Sequence, residues 1–595
     1  MQLIDWLIVV AYLVATLVLG LYLSRRASGS MADFFVSGRQ LPWWLAGTSM
    51  AATTFSIDTP LYIAGVVGNR GITGNWEWWS FGVAHVVMVY VFARPWRRSE
   101  IVTDAELTEL RYGGRPAAAL RATKAFLFAV PINCIGIGYA MLAMVKVVDA
   151  LELWQSLGLE PGPSGKVLSV IAVSLLVLLY SGFSGLWGVV TTDFLQFGLA
   201  LLGAIAGAVI AVTHVGGMAP LIEQAQAATE HDVLAFFPLQ VSGDAPWVTW
   251  SQTAGISVST FFAYVFVQWW AFRRSDGGGE FVQRLAAAKT EAEAERAAWL
   301  FNGLHYGVRT WPWVVVALAA VVLYPDLADR ELGYPKLMLD FLPPVLLGMV
   351  VASLVAAFMS TVSTLINWGA SYLTNDLYAR FFRPQATQSE LVTAGRLASV
   401  AVTLLGAIAA FFAQDVATVF RLVIAIGTGP GLVLILRWLW WRINAAAELA
   451  AMVAGFVIGF ATSVVPVVQI EDFGWRLTVT SLLTAAIWIM VMLATPPESP
   501  EVLSAFYRRI RPPGPGWRSQ QLETGLPPAQ SLVNSLGCVV AGVLLLFGSM
   551  FALGGFLLLQ PLTGWISLVV AAVAGFWLRR LSRRRRDHRQ AVEQA

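Results

Sequence analysis

Three stretches of this chain place oxygen side chains inside otherwise apolar runs. The first reads Ser49-Met50-Ala51-Ala52-Thr53-Thr54-Phe55-Ser56-Ile57-Asp58-Thr59-Pro60. The second carries Ser251, Thr253, Gly255, Ser257, Ser259 and Thr260 and is another candidate for an unwound helix; the third carries Ser360, Thr361, Ser363, Thr364 and Asn367. On a helix Ser360, Ser363, Thr364 and Asn367 share one face, with Thr361 beside them. Such a stripe either bonds back to its own helix and glues neighbours together, or it joins carbonyls released by a broken helix and coordinates a hard monovalent cation. Pro60 lacks an amide donor and disfavours helical geometry in the residue before it, so the first stretch is expected to break at Thr59.

Charged and aromatic residues in similar surroundings suggest a second chemistry, the holding of a polar solute. Glu77 lies in Trp76-Glu77-Trp78-Trp79. Aromatic faces beside a carboxylate suit a sugar ring or a cationic amine, and they also suit a tryptophan belt at a membrane interface. Tyr264, Gln268 and Trp269 share one apolar run, and His305 and Arg309 stand one turn apart in another. Taken alone, His305 reads as a hydrogen-bonded core histidine. Arg309, if buried, pairs with Asp58 or Glu77 or binds an anionic group. Asp193 either ligates a cation or pairs with an arginine or lysine. The five histidines (His85, His214, His231, His305 and His588) are scattered and form no metal-ligand set. HExxH and GxSxG are absent, which argues against an enzyme. Cys134 and Cys538 lie in apolar runs and imply neither a disulfide framework nor a cysteine-based metal site.

The elements that position these residues must cross a bilayer. Of the 595 residues, 57% are hydrophobic and 13% charged, where a soluble chain carries about 25% charged residues. A crossing needs ~20 apolar residues, folded as a helix because backbone groups in lipid must bond internally. About fifteen runs qualify: 3–24, 43–68, 76–95, 123–148, 166–184, 186–213, 247–272, 298–324, 340–375, 394–413, 416–440, 446–468, 476–494, 533–557 and 560–579, with a short break at 181–185. The first is too long for a signal-peptide core and is read as a retained helix. Positive charge gathers in alternate loops, at Arg25 and Arg26, between Arg94 and Lys124, and at Arg273, Arg274, Arg284 and Lys289. It gathers again at Arg380 and Arg383, at Arg508, Arg509 and Arg511, and in the tail 579–586. This pattern places the N-terminus outside and the C-terminus inside. The net charge of +3 gives no argument for nucleic acid, and the basic tail reads as topogenic and lipid-facing. The segment 280–299 is expected as a short cytoplasmic helix and 497–530 as a cytoplasmic linker. Gly427-Thr428-Gly429-Pro430-Gly431 should bend its helix.

In several of these stretches the sequence resembles the sodium:solute symporter family, which includes sodium–sugar, sodium–proline and sodium–sialic acid cotransporters. The likeness runs from about residue 3 to about 445. It rests on DFFVSGRQLPWWLAGTSMAATTFS near 33–56, TDAELTELRYGG at 103–114, SGFSGLWGVVTTDFLQ at 181–196, QRLAAAK at 283–289, AAFMSTVSTLINWGASYLTNDLY at 356–378 and RWLWWRINAAAE at 437–448. The resemblance implies an all-α polytopic membrane protein with the inverted five-plus-five repeat of leucine transporters and extra flanking helices. The expected organisation is a flanking helix and loop (1–42), a transport core (43–445, with halves 43–213 and 247–441), two added helices (446–496), the linker (497–530) and a final helix pair with a basic tail (531–595). The family's first sodium site maps onto the carbonyls of Ala52, Phe55 and Ala357 and the hydroxyls of Ser360 and Thr361. The second sodium of some members maps onto Asp193, Ser363 and Thr364. Solute contacts map onto Asp58, Thr59, Glu77, Trp78, Tyr264, Gln268, His305 and Arg309. The glutamine and asparagine set that binds sugar in some members is not intact, so glucose- or galactose-type transport is not assumed.

The function implied by the resemblance is that of a sodium-coupled symporter importing a small polar organic solute (sugar-like, amino acid or carboxylate) by alternating access in a plasma membrane, here the bacterial inner membrane. It implies sodium ions, a solute and the bilayer as partners, and neither nucleic acid nor an obligate protein partner. A proton-coupled carrier using Asp58 or Asp193, and a membrane sensor that binds without flux, are the alternatives.

Overall fold

The computed structural model describes every residue except 25–29, 161, 182–184, 242–246, 252, 414–415 and 595. Arg25, Arg26 and most of the expected break at 181–185 therefore lie outside the described residues. Among the described residues nine helices are long and apolar enough to cross a membrane, or ten if the bent pair Trp43–Thr53 and Asp58–Arg70 is one span. Leu3–Leu19, Gly165–Leu178 and Thr418–Gly427 are shorter apolar helices. The crossing expected at 76–95 is a string of segments: Trp76–Trp79, Phe81–Val87, a π-helical turn Met88–Phe92, and Ala93–Ser99. Leu346–Phe382 lies at the centre, with 94% of its most apolar window buried, against 22% for Pro561–Arg586 at the periphery.

Two helices at the centre are interrupted, and both interruptions differ from expectation. In the first, Trp43–Thr53 stops, residues 54–57 turn, and Asp58–Arg70 resumes at 54°. The break thus precedes Thr59, which is helical. Pro60 occupies the third position of the new helix, where no amide has an intrahelical acceptor, so the helix can begin before the proline.

The second interruption lies at the opposite end of its run from the one the hydroxyls suggest. Val248–Trp250 pairs antiparallel with Leu239–Val241, and the helix starts only at Val258, where the Ser257 hydroxyl accepts from the Thr260 amide. This helix ends at Ala271; the chain turns through 272–279 and restarts as Glu280–Ala287. Gly277 and Gly279 hold positive φ within that turn (79° and 76°), a conformation glycine adopts without strain. Every residue of Glu280–Ala287 is buried, so it is no cytoplasmic surface helix. A separate helix, capped by Thr290, runs from Glu291 to Leu323. Arg273 and Arg284, which the charge pattern assigns to a loop, are interior. Composition does not separate a charge facing a cavity from one facing water.

The glycine–proline bend appears where expected, with Val416–Gly427 and Gly431–Leu439 separated at 428–430. It lies against the second interruption, because Phe272 and Thr428 form a β-bridge. A Cβ on Gly431 would sit 2.2 Å from the Trp270 carbonyl, so the approach admits only glycine. The 497–530 segment contains Pro500–Ile510 and Arg518–Thr524 and docks on the core, the Trp517 indole donating to the Trp438 carbonyl at 2.9 Å.

Candidate functional site

The cut end of the first broken helix meets the hydroxyl stripe of the central helix. Thr361 Oγ1 donates to the Thr53 carbonyl at 2.8 Å, and the hydroxyls of Thr53 and Thr364 lie 3.2 Å apart. Ala52, Phe55, Ala357, Ser360 and Thr361 are all buried. A helix that stops in an apolar interior leaves its last carbonyls without amide partners. The Ala52 carbonyl accepts from the Phe55 amide at 2.9 Å and keeps a second lone pair, and carbonyls and hydroxyls of this kind are the donors a hard monovalent cation takes.

The residues of the second expected ion set bond to other groups rather than to one another, and two of them, Asp193 and Thr364, meet a side chain that sequence reasoning does not single out. Asp193 accepts from Ser360 Oγ at 2.6 Å and from Ser49 Oγ at 2.5 Å. The Arg284 guanidinium stands 3.6 Å from the same carboxylate and donates to Thr364 Oγ1 at 2.6 Å and to Ser49 Oγ at 3.2 Å. Ser363 Oγ bonds back to the Ser360 carbonyl. Asp193 thus has an arginine partner, one of the two outcomes its apolar surroundings allow. The signal for Arg284 is present in QRLAAAK, but the charge of that segment makes it look exposed.

Beside this cluster lies a cavity of about 200 Å³ between the two broken helices. Of the residues expected to contact solute, Asp58, Thr59, Trp78, His305 and Arg309 line it. Tyr139, His85, Arg273, Arg274 and Glu280, which sequence reasoning does not single out as solute contacts, line it too. Tyr139 donates its hydroxyl to Asp58 Oδ2, while Oδ1 has no partner. Arg309 donates to His305 Nε2 at 3.3 Å. A guanidinium cannot accept, so Nε2 is the acceptor and His305 carries its proton on Nδ1, facing Thr54 Oγ1 at 2.9 Å. Arg309 pairs with neither Asp58 nor Glu77; it donates to the Ala51 carbonyl at 3.3 Å and packs over Phe55 and Trp313.

Glu77, Tyr264 and Gln268 come together, but not on the cavity wall. Fully buried Glu77 accepts from Arg70 at 2.9 Å and Tyr264 at 3.0 Å and faces Arg421 at 3.3 Å, while Gln268 bonds its carbonyl. Arg70 and Arg421 line a second opening of about 400 Å³ with Ser257, Thr260, Glu471 and Arg476. Phe420 lines the cavity and Arg421 the opening, so the Glu77 cluster sits between the two. At the rim, partial burial opposes ionisation of Asp472, but bonds from Ser257, the Trp475 amide, Ser259 and Thr260 outweigh it and hold the carboxyl below its usual range.

A family model described as the sodium:solute symporter family matches residues 34–455. A sodium/glucose cotransporter of Vibrio parahaemolyticus is 26% identical over 432 residues, covering 68% of this chain and 74% of that one. Sodium/myo-inositol cotransporter 2 of Oryctolagus cuniculus is 23% identical over 585 residues, covering 89% and 82%. Among solved structures, a Na+-coupled sialic acid symporter in a substrate-bound outward-open state matches with a TM-score of 0.66 at 19% identity, over 84% of this chain and 99% of that one. That likeness establishes a shared fold.

Proposed function

The chain belongs to the sodium:solute symporter family, a family of transporters and not of enzymes, and on that premise we propose that it imports a small polar organic solute together with sodium by alternating access. The supporting observation is the contact of Thr361 with the carbonyl at the cut end of Trp43–Thr53, directly beside the cavity. Sodium is held by the carbonyls of Ala52, Phe55 and Ala357 and the hydroxyls of Ser360 and Thr361. It braces the broken helix against the central one, and solute then fills the cavity. Asp58, Thr59, Trp78, His305 and Arg309 contact the solute, and Glu77 with Tyr264 and Gln268 forms the outer gate. Of the second set, Asp193 and Thr364 hold Arg284 in place of a second ion, which on this reading gives one sodium per cycle.

The driving energy is ionic: a charge crossing ~100 mV contributes ~2.3 kcal/mol before any concentration gradient is added. The proposed setting is a bacterial inner membrane, crossed by about fifteen helices in two five-helix halves with flanking additions, N-terminus outside.

The test is the thermal stability of purified protein in sodium against potassium and choline at fixed ionic strength, for wild type, Ser360→Ala and Thr361→Ala. A ligand that binds only the folded state raises stability as RT ln(1 + [L]/Kd). The expected result is a sodium-specific rise in wild type that both substitutions remove. Equal stability in all three cations would overturn the sodium site. Uptake driven by a pH gradient without sodium would assign coupling to a proton instead.

A further inference from the structure

The central cavity carries more positive charge than its own residues neutralise. Three guanidiniums line it, from Arg273, Arg274 and Arg309, against two carboxylates, Asp58 and Glu280. Arg274 closes on Glu280 at 2.5 Å. Neither Arg273 nor Arg309 has a carboxylate within ion-pair distance among the described residues. Arg309 is 1% exposed and its Nε has no partner. Its two hydrogen bonds leave most of its five N–H donors unused. His305, neutral against Arg309, brings no negative charge. The rings of Phe55 and Trp313 and the charge of Asp58 across the cavity stabilise the cation in part, but a buried guanidinium without a direct ion pair remains costly. An anion entering the cavity would relieve that cost, and a carboxylate matches the planar fork of an arginine.

The acceptors lie in the same lining. Asp58 Oδ1 and Tyr62 OH are buried without partners among the described residues, and the Ser56 hydroxyl lies in the same lining. They suit hydroxyls on the ligand, and Trp78, Trp269 and Phe420 offer ring faces to its C–H groups. A neutral sugar would meet the acceptors and leave Arg309 uncompensated. An amino acid would bring its own cation and leave the charge excess unchanged.

We propose that the solute is a small hydroxylated monocarboxylate, its carboxylate on Arg309 and its hydroxyls on Asp58 and the neighbouring oxygens. This rests on the cavity being the solute site of the proposed symporter. Arg309 is then the residue that separates acids from neutral sugars.

The experiment is a thermal-shift panel on the purified full chain, in sodium and in potassium, with matched probes: glucuronate against glucose, and glycerate against glycerol and serine. In sodium, glucuronate or glycerate should raise the midpoint and its neutral and amino counterparts should not. Arg309→Gln should raise the half-saturating acid concentration about ten-fold or more, as expected for loss of a charge-assisted contact, with Arg309→Lys recovering part. Glucose or serine stabilising as strongly as the acids would overturn the proposal, and so would a panel in which no acid adds a shift. The wild-type panel decides the matter even where Arg309→Gln fails to fold. A sodium shift with no preference for acids would leave symport standing and remove this inference. Acid binding equal in sodium and potassium would keep the carboxylate site and remove the coupling.

Discussion

Asp193 illustrates how far single residues are legible. A carboxylate in an apolar run has to find either a cation or an arginine, and that much comes from desolvation alone. Which one it finds depends on where Arg284 points, and a one-dimensional pattern carries no such direction. The stripe of Ser360, Ser363, Thr364 and Asn367 is easier, because four oxygens at helical spacing share one face, and Thr361 lies next to it. Fixing Arg284 beside Asp193 has a consequence for ion binding. Arg284→Ala leaves the carboxylate buried with two hydroxyl donors and no counter-charge, a change that costs about 3–5 kcal/mol for a fully buried pair. Its midpoint should fall in potassium and recover partly at high sodium, with a steeper dependence on sodium concentration than wild type. Equal losses in both cations would mean that no ion replaces the guanidinium. Glu77 supports a separate prediction. It is fully buried, but Arg70 and Arg421 are 21% and 27% exposed, so Glu77→Gln should cost less, about 1–3 kcal/mol. If the cluster is the proposed gate, the same substitution should also speed labelling of a Phe420→Cys cavity reporter by an impermeant maleimide. Unchanged labelling would reduce the cluster to a structural one.

At the scale of elements, the two interrupted helices flank the cavity, and they are unequally visible in the sequence. Pro60 signals the first and misplaces it by only a few residues, because proline is tolerated in a first turn. The hydroxyls at 251–260 point to a second break that lies instead at the glycine run 277–279, followed by a charged segment that looks exposed and is buried. Apolar periodicity finds membrane helices by their lipid-facing surface, and Glu280–Ala287 is enclosed by protein on all sides, where charged residues are tolerated when partnered. The second interruption and the 428–430 bend touch through the Phe272–Thr428 bridge and the close approach of Gly431 to the Trp270 carbonyl. Gly431→Ala forces a methyl against backbone that has no rotamer to yield, so about 1–3 kcal/mol of overpacking or more is expected. The measurable outcome is a lower thermal midpoint together with loss of solute uptake. Wild-type uptake in Gly431→Ala would show that these two helices do not move as one contact.

At the scale of the whole molecule, the final helix pair tests what holds a membrane protein together. The family match ends at residue 455, and by sequence the segment after 530 reads as a peripheral addition. Leu532–Leu557 nevertheless packs against the wall behind the cavity. Phe547 stacks on Trp76 with centroids 5.6 Å apart, and the Trp311 indole donates to the Met550 carbonyl at 3.0 Å. Gly554 lies so close to Trp311 that a Cβ would fall 1.9 Å from its ring. Trp76 adjoins Glu77 of the outer cluster, and Tyr306, which also approaches Phe547, lines the cavity. In a bilayer, uncovering apolar side chains costs little, because lipid replaces protein as the apolar neighbour. An orphaned indole N–H is different, since lipid tails offer no acceptor, and leaving it unpaired costs about 1–3 kcal/mol. A chain ending at residue 530 should therefore still fold and still show the sodium-specific stabilisation, with a lower midpoint in every cation. Trp311→Phe in the full-length protein should reproduce part of that loss, and in the truncated chain it should be nearly neutral. Additive losses from truncation and Trp311→Phe would show that the pair stabilises the core by shape alone.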